Sequence, residues 1–120
     1  MLPMLMSLIM AGLPLPFAEL VAPPEQSPQE LWMDALANCE SMGSTTIRVW
    51  DTNNQWSVGK YQYQYRTWLK YSKRFGTTKE NITDGELQDK VTRYVLDTIG
   101  SGDWHNCGKI VRKALGPYPF

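Results

Sequence analysis

One acidic residue stands out by its neighbours along the chain. Glu40 lies between Cys39 and Ser41, at the point where a helical pattern gives way to a polar segment that contains Gly43. A carboxyl group at such a helix end has apolar residues on one side and an open loop on the other. Partial burial raises a carboxyl pKa because it penalises the charged form. Glu40 is therefore the predicted proton donor of an acid–base site.

Three further motifs follow Glu40 at separate points of the chain. Tyr61-Gln62-Tyr63 places a glutamine between two aromatic residues, Thr67-Trp68 begins five residues after that glutamine, and Trp104-His105-Asn106-Cys107 comes near the end. Together with residues 31–41, these motifs resemble the transglycosylase-like domain of resuscitation-promoting factors. Those proteins are small secreted relatives of lysozymes and lytic transglycosylases, which cut bacterial peptidoglycan. The resemblance covers roughly residues 31–107.

The chain departs from this family at two places. Met42 stands where the family usually has the first of two glycines, and a few extra residues lie between Glu40 and Gln62. The spacing of Ser57, Gly59 and Gln62 is more similar to the broader lytic transglycosylase pattern. The longer segment predicts a larger loop on the floor of a substrate cleft.

The resemblance implies a reaction and a set of residues for it. Glu40 would be the catalytic acid in cleavage of the β-1,4 bond between N-acetylmuramic acid and N-acetylglucosamine in peptidoglycan glycan strands. Gln62 carries an amide donor and a carbonyl acceptor, which suit the N-acetyl and hydroxyl groups of an amino sugar. The predicted substrate-binding residues are Ser41, Tyr61, Gln62, Tyr63, Thr67 and Trp56.

Some of the aromatic residues have a second interpretation. Tyr61 and Tyr63 alternate along the chain, which is equally typical of one face of a strand that packs on a core. Trp56, like Trp50, flanks a predicted turn, where it would either stack on a sugar ring or cover the core. Trp68 is predicted to be a core residue.

A second carboxyl group decides which cleavage reaction is expected. Asp51 is the only acid between Glu40 and Gln62, and it lies in a predicted turn, where aspartate often makes local hydrogen bonds. A lytic transglycosylase needs no second carboxylate, because the sugar's own 6-hydroxyl attacks and leaves a 1,6-anhydro product. We therefore expect a transglycosylase that uses Glu40 alone. The alternatives are a muramidase that uses Asp51, and a non-catalytic wall-binding or virion structural protein.

Two cysteines and one histidine limit other chemistry. Cys39 and Cys107 are either bonded or two buried thiols, and the resemblance implies a disulfide between them. With both sulfurs in a disulfide, His105 has no partners for a metal site, so neither a metal nor a cofactor is expected. A disulfide forms in oxidising compartments. We therefore expect an extracytoplasmic protein, which is secreted, periplasmic, membrane-anchored or virion-associated.

Charge excludes one class of partner and indicates another. The 12 lysine and arginine residues balance the 12 aspartate and glutamate residues, so no net field favours nucleic acid. Residues 60–79 contain no Asp or Glu, and their cations are Lys60, Arg66, Lys70, Lys73, Arg74 and Lys79. This segment is either a solvated helix face or a surface attracted to the anionic cell wall, whose stem peptides carry carboxylates.

The length of 120 residues allows one domain. Residues 1–22 are almost wholly apolar and predict a signal peptide or an N-terminal membrane anchor, through which the chain would contact a membrane. Residues 23–26 predict a short stiff linker. Residues 27–116 are the predicted domain, and residues 117–120 a tail.

The predicted fold is mainly α (α+β), a small lysozyme-like domain with a short irregular β-hairpin. A capping box at Ser27 opens a first helix, whose predicted buried stripe is Leu31, Trp32, Ala35, Leu36 and Cys39. Residues 44–57 predict the hairpin. Three more helices are predicted, at about residues 64–75, after a capping box at residues 83–86, and at about residues 106–115.

Overall fold

The computed structural model describes residues 25–120. The predicted signal peptide or membrane anchor at residues 1–22 lies outside this part of the chain, as does the first half of the predicted linker. Within residues 25–120, no helix is both long and apolar enough to cross a membrane.

The described chain forms four α-helices and a small sheet, which confirms the predicted mainly α fold with a short β element. Helices α1 to α4 span Pro28–Ser41, Tyr65–Ser72, Gly85–Thr98 and His105–Leu115. Strands β1 to β3 span Arg48–Trp50, Trp56–Val58 and Tyr63–Gln64. Two short 3-10 helices, Lys73–Phe75 and Lys79–Thr83, connect α2 to α3.

Helix α1 begins at the predicted capping box. Ser27 Oγ accepts a hydrogen bond from the backbone N–H of Glu30 at 3.1 Å, and the Glu30 carboxylate accepts one from the backbone N–H of Ser27 at 3.0 Å. Pro28 occupies the first turn, where its missing N–H leaves no helical bond unmade. These contacts fix where the folded domain starts.

The buried face of α1 consists of Trp32, Met33, Leu36 and Ala37. Leu31, which the periodic pattern assigned to the buried stripe, is 50% exposed. That part of the prediction is wrong, because the packed face is centred one position further along the helix. The face lies against α4, the principal partner of α1.

The three strands form an antiparallel sheet in the order β1-β2-β3. Val49 pairs with Ser57, and Ser57 pairs with Gln64, so these residues share one face of the sheet. Trp50 pairs with Trp56 on the opposite face. The predicted hairpin is present as β1 and β2, and β3 adds a third strand directly before α2.

The boundaries of the later helices follow their capping residues. Asp84, rather than Thr83, is the N-cap of α3, and its side chain accepts a hydrogen bond from the backbone N–H of Leu87 at 3.1 Å. Gly76 ends the 3-10 extension of α2 at φ 71°, a conformation that glycine adopts without a steric penalty. Gly116 follows α4, as the sequence pattern predicts.

Three buried indoles fill the core, and each has a backbone acceptor for its N–H group. Trp32 Nε1 donates to the carbonyl of Gly116, Trp68 Nε1 to that of Thr78, and Trp104 Nε1 to that of Tyr61. A large aromatic side chain is buried at low cost when its polar atom is satisfied. The indole of Trp104 also fixes the backbone directly before Gln62.

The C-terminal segment after Gly116 packs on the domain. Tyr118 is 4% exposed, and its ring meets Trp32 edge-on with the centroids 5.7 Å apart. The hydroxyl of Tyr118 donates to the Asp97 carboxylate of α3. Residues beyond the last helix therefore cover part of α1.

A disulfide joins Cys39 in the last turn of α1 to Cys107 in the first turn of α4. The two cysteines are 68 positions apart in the sequence. Closing so long a loop lowers the entropy of the unfolded chain by an amount worth about 4 kcal/mol. For a domain of this size, that is a large part of the free energy of unfolding.

We predict that the Cys39→Ser/Cys107→Ser protein is less stable than the oxidised wild type by about 3 to 5 kcal/mol, measured by chemical denaturation. The reason is that the unfolded variant, without the disulfide, regains conformational entropy. Intact mass after alkylation without reductant should show no modified cysteine in the wild type. Two alkylated thiols, or equal stabilities, would contradict this prediction.

Candidate active site

Helix α1 ends in a left-handed turn just after Glu40. Met42 closes the helix at φ 56°, and its N–H donates to the carbonyls of Ala37 and Asn38. This conformation costs a non-glycine residue roughly 1 to 2 kcal/mol. The same requirement accounts for the glycine that the resembled family usually has at this position. The turn leaves Glu40 on the last turn of the helix, half-buried.

Ser41 ties this helix end to the loop that carries the next site residues. Its hydroxyl is buried and donates to the backbone carbonyl of Lys60 at 2.7 Å. It also lies 3.2 Å from the carbonyl of Ala37, one turn earlier in α1. Ser41 therefore holds the backbone around Glu40 against the segment that leads to Gln62.

Glu40 opens into a cleft with a volume of about 520 Å³. The cleft is bounded by the end of α1, the sheet, α2 and the first turn of α4. The sheet side contributes Asp51, Ser57, Gln62, Tyr63 and Gln64. The facing side contributes Thr67, Lys70 and Tyr71 from α2, and Asp103, Trp104, His105, Asn106 and Cys107 at the start of α4.

The carboxyl group of Glu40 is a weak acid in this setting. Burial is the larger cause and the negative charge of Asp51 the smaller cause of a pKa that is raised from 4.5 to about 7. A large fraction of Glu40 is therefore protonated at neutral pH. Such a group can donate a proton to a bound ligand and later accept one, which is the requirement for a general acid–base catalyst.

The carboxylate of Asp51 is held ionised beside Glu40. The Ser57 hydroxyl donates to its Oδ2 at 2.9 Å, the Gln64 amide donates to the same oxygen at 3.3 Å, and the Thr52 N–H donates to its Oδ1 at 2.9 Å. These bonds, with that from Ser57 foremost, lower the Asp51 pKa. Two carboxyl groups of the cleft, Glu40 and Asp51, thus have pKa values that are moved in opposite directions.

Gln62 presents its side chain to the cleft from a constrained backbone. Its φ is 58°, which is rare for a residue with a side chain. The backbone N–H and the side-chain amide both donate to the carbonyl of Gly59 at 3.1 Å. Within residues 25–120, the Gln62 side-chain carbonyl has no hydrogen-bonding partner, so it is open to a donor on a ligand.

Tyr63 and Thr67 also line the cleft, although their exposures differ. Tyr63 is 4% exposed, and its hydroxyl is bonded to that of Thr92 at 2.8 Å, so its ring forms the floor. Thr67 is half-buried on the wall, one turn before Tyr71. Tyr71 donates its hydroxyl hydrogen to Asp103 Oδ2 at 2.8 Å, which links α2 to the segment before α4.

Three of the predicted substrate-binding residues are not brought to the cleft. Ser41 is buried in the helix-end contact described above. Tyr61 is 1% exposed, and its hydroxyl donates to Asp89 on α3 at 2.6 Å. Trp56 lies on the sheet face opposite Ser57, where its ring meets that of Trp50 at a centroid distance of 5.0 Å. Tyr61 therefore packs on the core, whereas Tyr63 lines the cleft.

The cleft also contains residues that the sequence did not place in a substrate-binding site. These are Gln64, Lys70, Tyr71, Asp103, His105 and Asn106. His105 and Asn106 lie inside the Trp104 to Cys107 motif, so the motif itself indicated them. Tyr71 and Asp103 are brought together by the packing of α2 against the start of α4, which no local pattern reports.

Side chains that could ligate a metal ion do not form a cluster in the part of the chain that the structure describes. Within residues 25–120, no three side chains of histidine, cysteine, aspartate or glutamate come together as metal ligands. Most polar groups of the cleft are carboxyl, amide and hydroxyl groups, and Lys70 and His105 add an ammonium and an imidazole. Such groups suit the hydroxyl and amide groups of a carbohydrate.

Comparison with known proteins identifies the family. Residues 27–107 match the family described as transglycosylase-like domain, which is more than half of the chain and includes Glu40 and both cysteines. Searches of curated proteins and of solved structures found no match. The chain therefore belongs to the transglycosylase-like domain family, as its four motifs predict.

Proposed function

We propose that this protein is a peptidoglycan lytic transglycosylase. In this proposal it cleaves the β-1,4 bond between N-acetylmuramic acid and N-acetylglucosamine. Membership of the transglycosylase-like domain family supports a lysozyme-like function that acts on peptidoglycan. The observation that carries the finer proposal is the Glu40 carboxyl group, which has a pKa of about 7 and opens into the cleft.

Glu40 acts twice in the proposed reaction. Its proton passes to the glycosidic oxygen, which leaves as the 4-hydroxyl of N-acetylglucosamine while positive charge develops at C1 of N-acetylmuramic acid. The resulting Glu40 carboxylate then takes the proton from the 6-hydroxyl of the same sugar as that oxygen bonds to C1. The product is a 1,6-anhydro sugar, and Glu40 regains its proton.

The remaining cleft residues position the glycan strand in this proposal. Gln62 accepts a hydrogen bond from an amide or hydroxyl of the sugar through its open carbonyl. Thr67 offers a hydroxyl on the facing wall, and Tyr63 supplies an aromatic floor. Ser41 and Tyr61 act indirectly. Ser41 bonds the end of α1 to the backbone of Lys60, and Tyr61 bonds the segment before Gln62 to Asp89 of α3.

Hydrolysis is the second candidate reaction, and one observation favours it. Asp51 lines the same cleft as Glu40, and its charge contributes to the raised Glu40 pKa. Two carboxyl groups with pKa values moved apart are typical of an acid paired with an ionised stabiliser. A muramidase would use the Asp51 carboxylate to stabilise positive charge at C1 or to assist water.

An extracytoplasmic location agrees with both reactions. Peptidoglycan lies outside the cytoplasmic membrane, and the Cys39–Cys107 disulfide persists in an oxidising compartment. Residues 1–22 would supply the route of export or a membrane anchor. A virion-borne wall-opening protein would meet the same compartment.

We predict that Glu40→Gln lowers release of muropeptides from purified peptidoglycan by about 100- to 10,000-fold, because it removes the transferable proton. Circular dichroism and the melting temperature should stay close to those of the wild type. A variant that still releases muropeptides at a rate near that of the wild type would overturn the role of Glu40. A wild type that binds peptidoglycan but releases no product would favour the non-catalytic alternative.

The pH profile of kcat/KM tests the protonation state of Glu40. Because the acid acts in its protonated form, the rate should fall as pH rises through about 7. In Asp51→Asn this limb should move to lower pH, since removing the negative charge lowers the Glu40 pKa. A wild-type limb near 4.5, the ordinary value of the group, would contradict the raised pKa.

The same pKa shift has a consequence for stability. Between pH 4.5 and about 7, the folded state holds a proton on Glu40 that the unfolded state has released. The free energy of unfolding from this group therefore falls as pH rises across that window. Denaturation of Glu40→Gln, which has no such group, should lack this fall.

Product analysis of Asp51→Asn separates the two reactions. If Glu40 acts alone, the variant should keep activity within about tenfold of the wild type, and mass spectrometry should find 1,6-anhydro ends in both. A loss of about a hundredfold or more, with reducing ends among the wild-type products, would assign a hydrolase. Ser57→Ala is the matched control, because it removes the main hydrogen bond to Asp51 and keeps its charge.

A further inference from the structure

The solvent face of α2 carries an uncompensated row of cations. Arg66, Lys70 and Lys73 follow at steps of four and three residues, so they lie on one side of the helix and of its 3-10 extension. All three are exposed, and no Asp or Glu occurs from residue 60 to residue 79. We name Arg66, Lys70 and Lys73 the α2 cation row.

Two other basic side chains of this region, those of Lys60 and Arg74, are already engaged. Lys60 forms a salt bridge with Asp89 at 2.9 Å. The guanidinium of Arg74 stacks over the ring of Tyr94, with 4.0 Å to its centroid. Among the basic side chains of this segment that the structure describes, the α2 cation row therefore offers the charge to a partner.

The row is continuous with the cleft. Lys70 lines the cleft together with Thr67 and Tyr71, and its ammonium group lies 5.1 Å from the centre of the Tyr71 ring. Asp103, which accepts the hydrogen bond of Tyr71, also lines the cleft and is exposed. A strand bound in the cleft would leave past Lys70 and meet the other two cations outside.

Helix stability does not account for the row. Like charges three or four residues apart on one face repel each other. Cations near the C-terminal end of a helix are favoured by its dipole, which suits Lys70 and Lys73, but Arg66 lies in the first turn, where the dipole disfavours it. A surface that weakens its own helix in this way is suited to a ligand of opposite charge.

We propose that the α2 cation row binds the carboxylates of the stem peptides carried by the glycan strand. This inference rests on the proposed function, in which the glycan occupies the cleft. Each N-acetylmuramic acid in intact peptidoglycan bears a peptide, so a strand in the cleft projects carboxylates at its rim. The protein is then selective for peptide-bearing strands over bare glycan.

The test measures binding rather than catalysis, in the full chain with Glu40→Gln. Two substrates are compared: peptidoglycan freed of phosphate-bearing polymers, and the same material with its carboxylates converted to amides. The test variant adds Arg66→Gln, Lys70→Gln and Lys73→Gln. The charge-matched control adds Lys109→Gln, Arg112→Gln and Lys113→Gln on the exposed side of α4.

We expect the α2 triple variant to bind native peptidoglycan about tenfold more weakly than its parent, and amidated peptidoglycan with about the same affinity as its parent. The α4 control should bind both materials as the parent does. The α2 triple variant should also show a shallower dependence of affinity on salt. Its melting temperature should be equal to or above that of the parent.

Three results would overturn the inference. The first is that the α2 triple variant binds native peptidoglycan as tightly as its parent. The second is that it loses affinity equally for both materials. The third is that the α4 control loses as much affinity as the α2 variant. Failure of the proposed function would give a different result. The wild-type protein would then release no muropeptides, while its charge-dependent binding to peptidoglycan would persist.

Discussion

The site depends on the closure of α1 against α4 next to Glu40. The disulfide binds the residue directly before Glu40 to the first turn of α4, whose residues 105–107 form the opposite edge of the cleft. Burial is the larger cause of the raised Glu40 pKa, and the disulfide holds the helix end that carries Glu40 against α4. The covalent bond thus supports the chemistry as well as the stability of a small core.

The surroundings of Glu40 and Asp51, two carboxyl groups of the cleft, then move their pKa values in opposite directions. Glu40 lies at a helix end with few donors, so burial dominates its pKa. Asp51 receives hydrogen bonds from a hydroxyl, a side-chain amide and a backbone N–H, and these favour its charged form. The partners Ser57 and Gln64 are paired across β2 and β3, so the register of the sheet sets the charge of Asp51.

Local patterns were sufficient for the helices, for the hairpin and for the resemblance that identified the family. Capping at Ser27 and the glycines after α2 and α4 are short-range signals, and the sequence reports them directly. The exposure of Leu31 was not predictable in this way, because it depends on which helix packs on the segment. For Tyr61 the sequence left two interpretations open, and the structure shows the one in which the ring is buried. The contact of Tyr71 with Asp103 joins residues 32 positions apart, and only the assembled fold brings them together.

The loop that carries Asp51 and Gln62 is fixed from a side of the molecule that never touches the cleft. Gln88 of α3 is fully buried, and its amide donates to the carbonyls of Thr45 and Ile82, while its carbonyl accepts from the N–H of Lys60 at 3.1 Å.

Gly59 makes this arrangement possible, since a Cβ there would lie 2.5 Å from the Gln88 amide nitrogen. One buried glutamine therefore clamps both ends of the loop segment between α1 and Gln62. Because the geometry of an acid–base site must be held to within a fraction of an ångström, a segment of this length needs such an anchor. Gln88 bonds both ends of the segment to α3, and the side chain of Asn53 bonds its turn to Gln64 of the sheet.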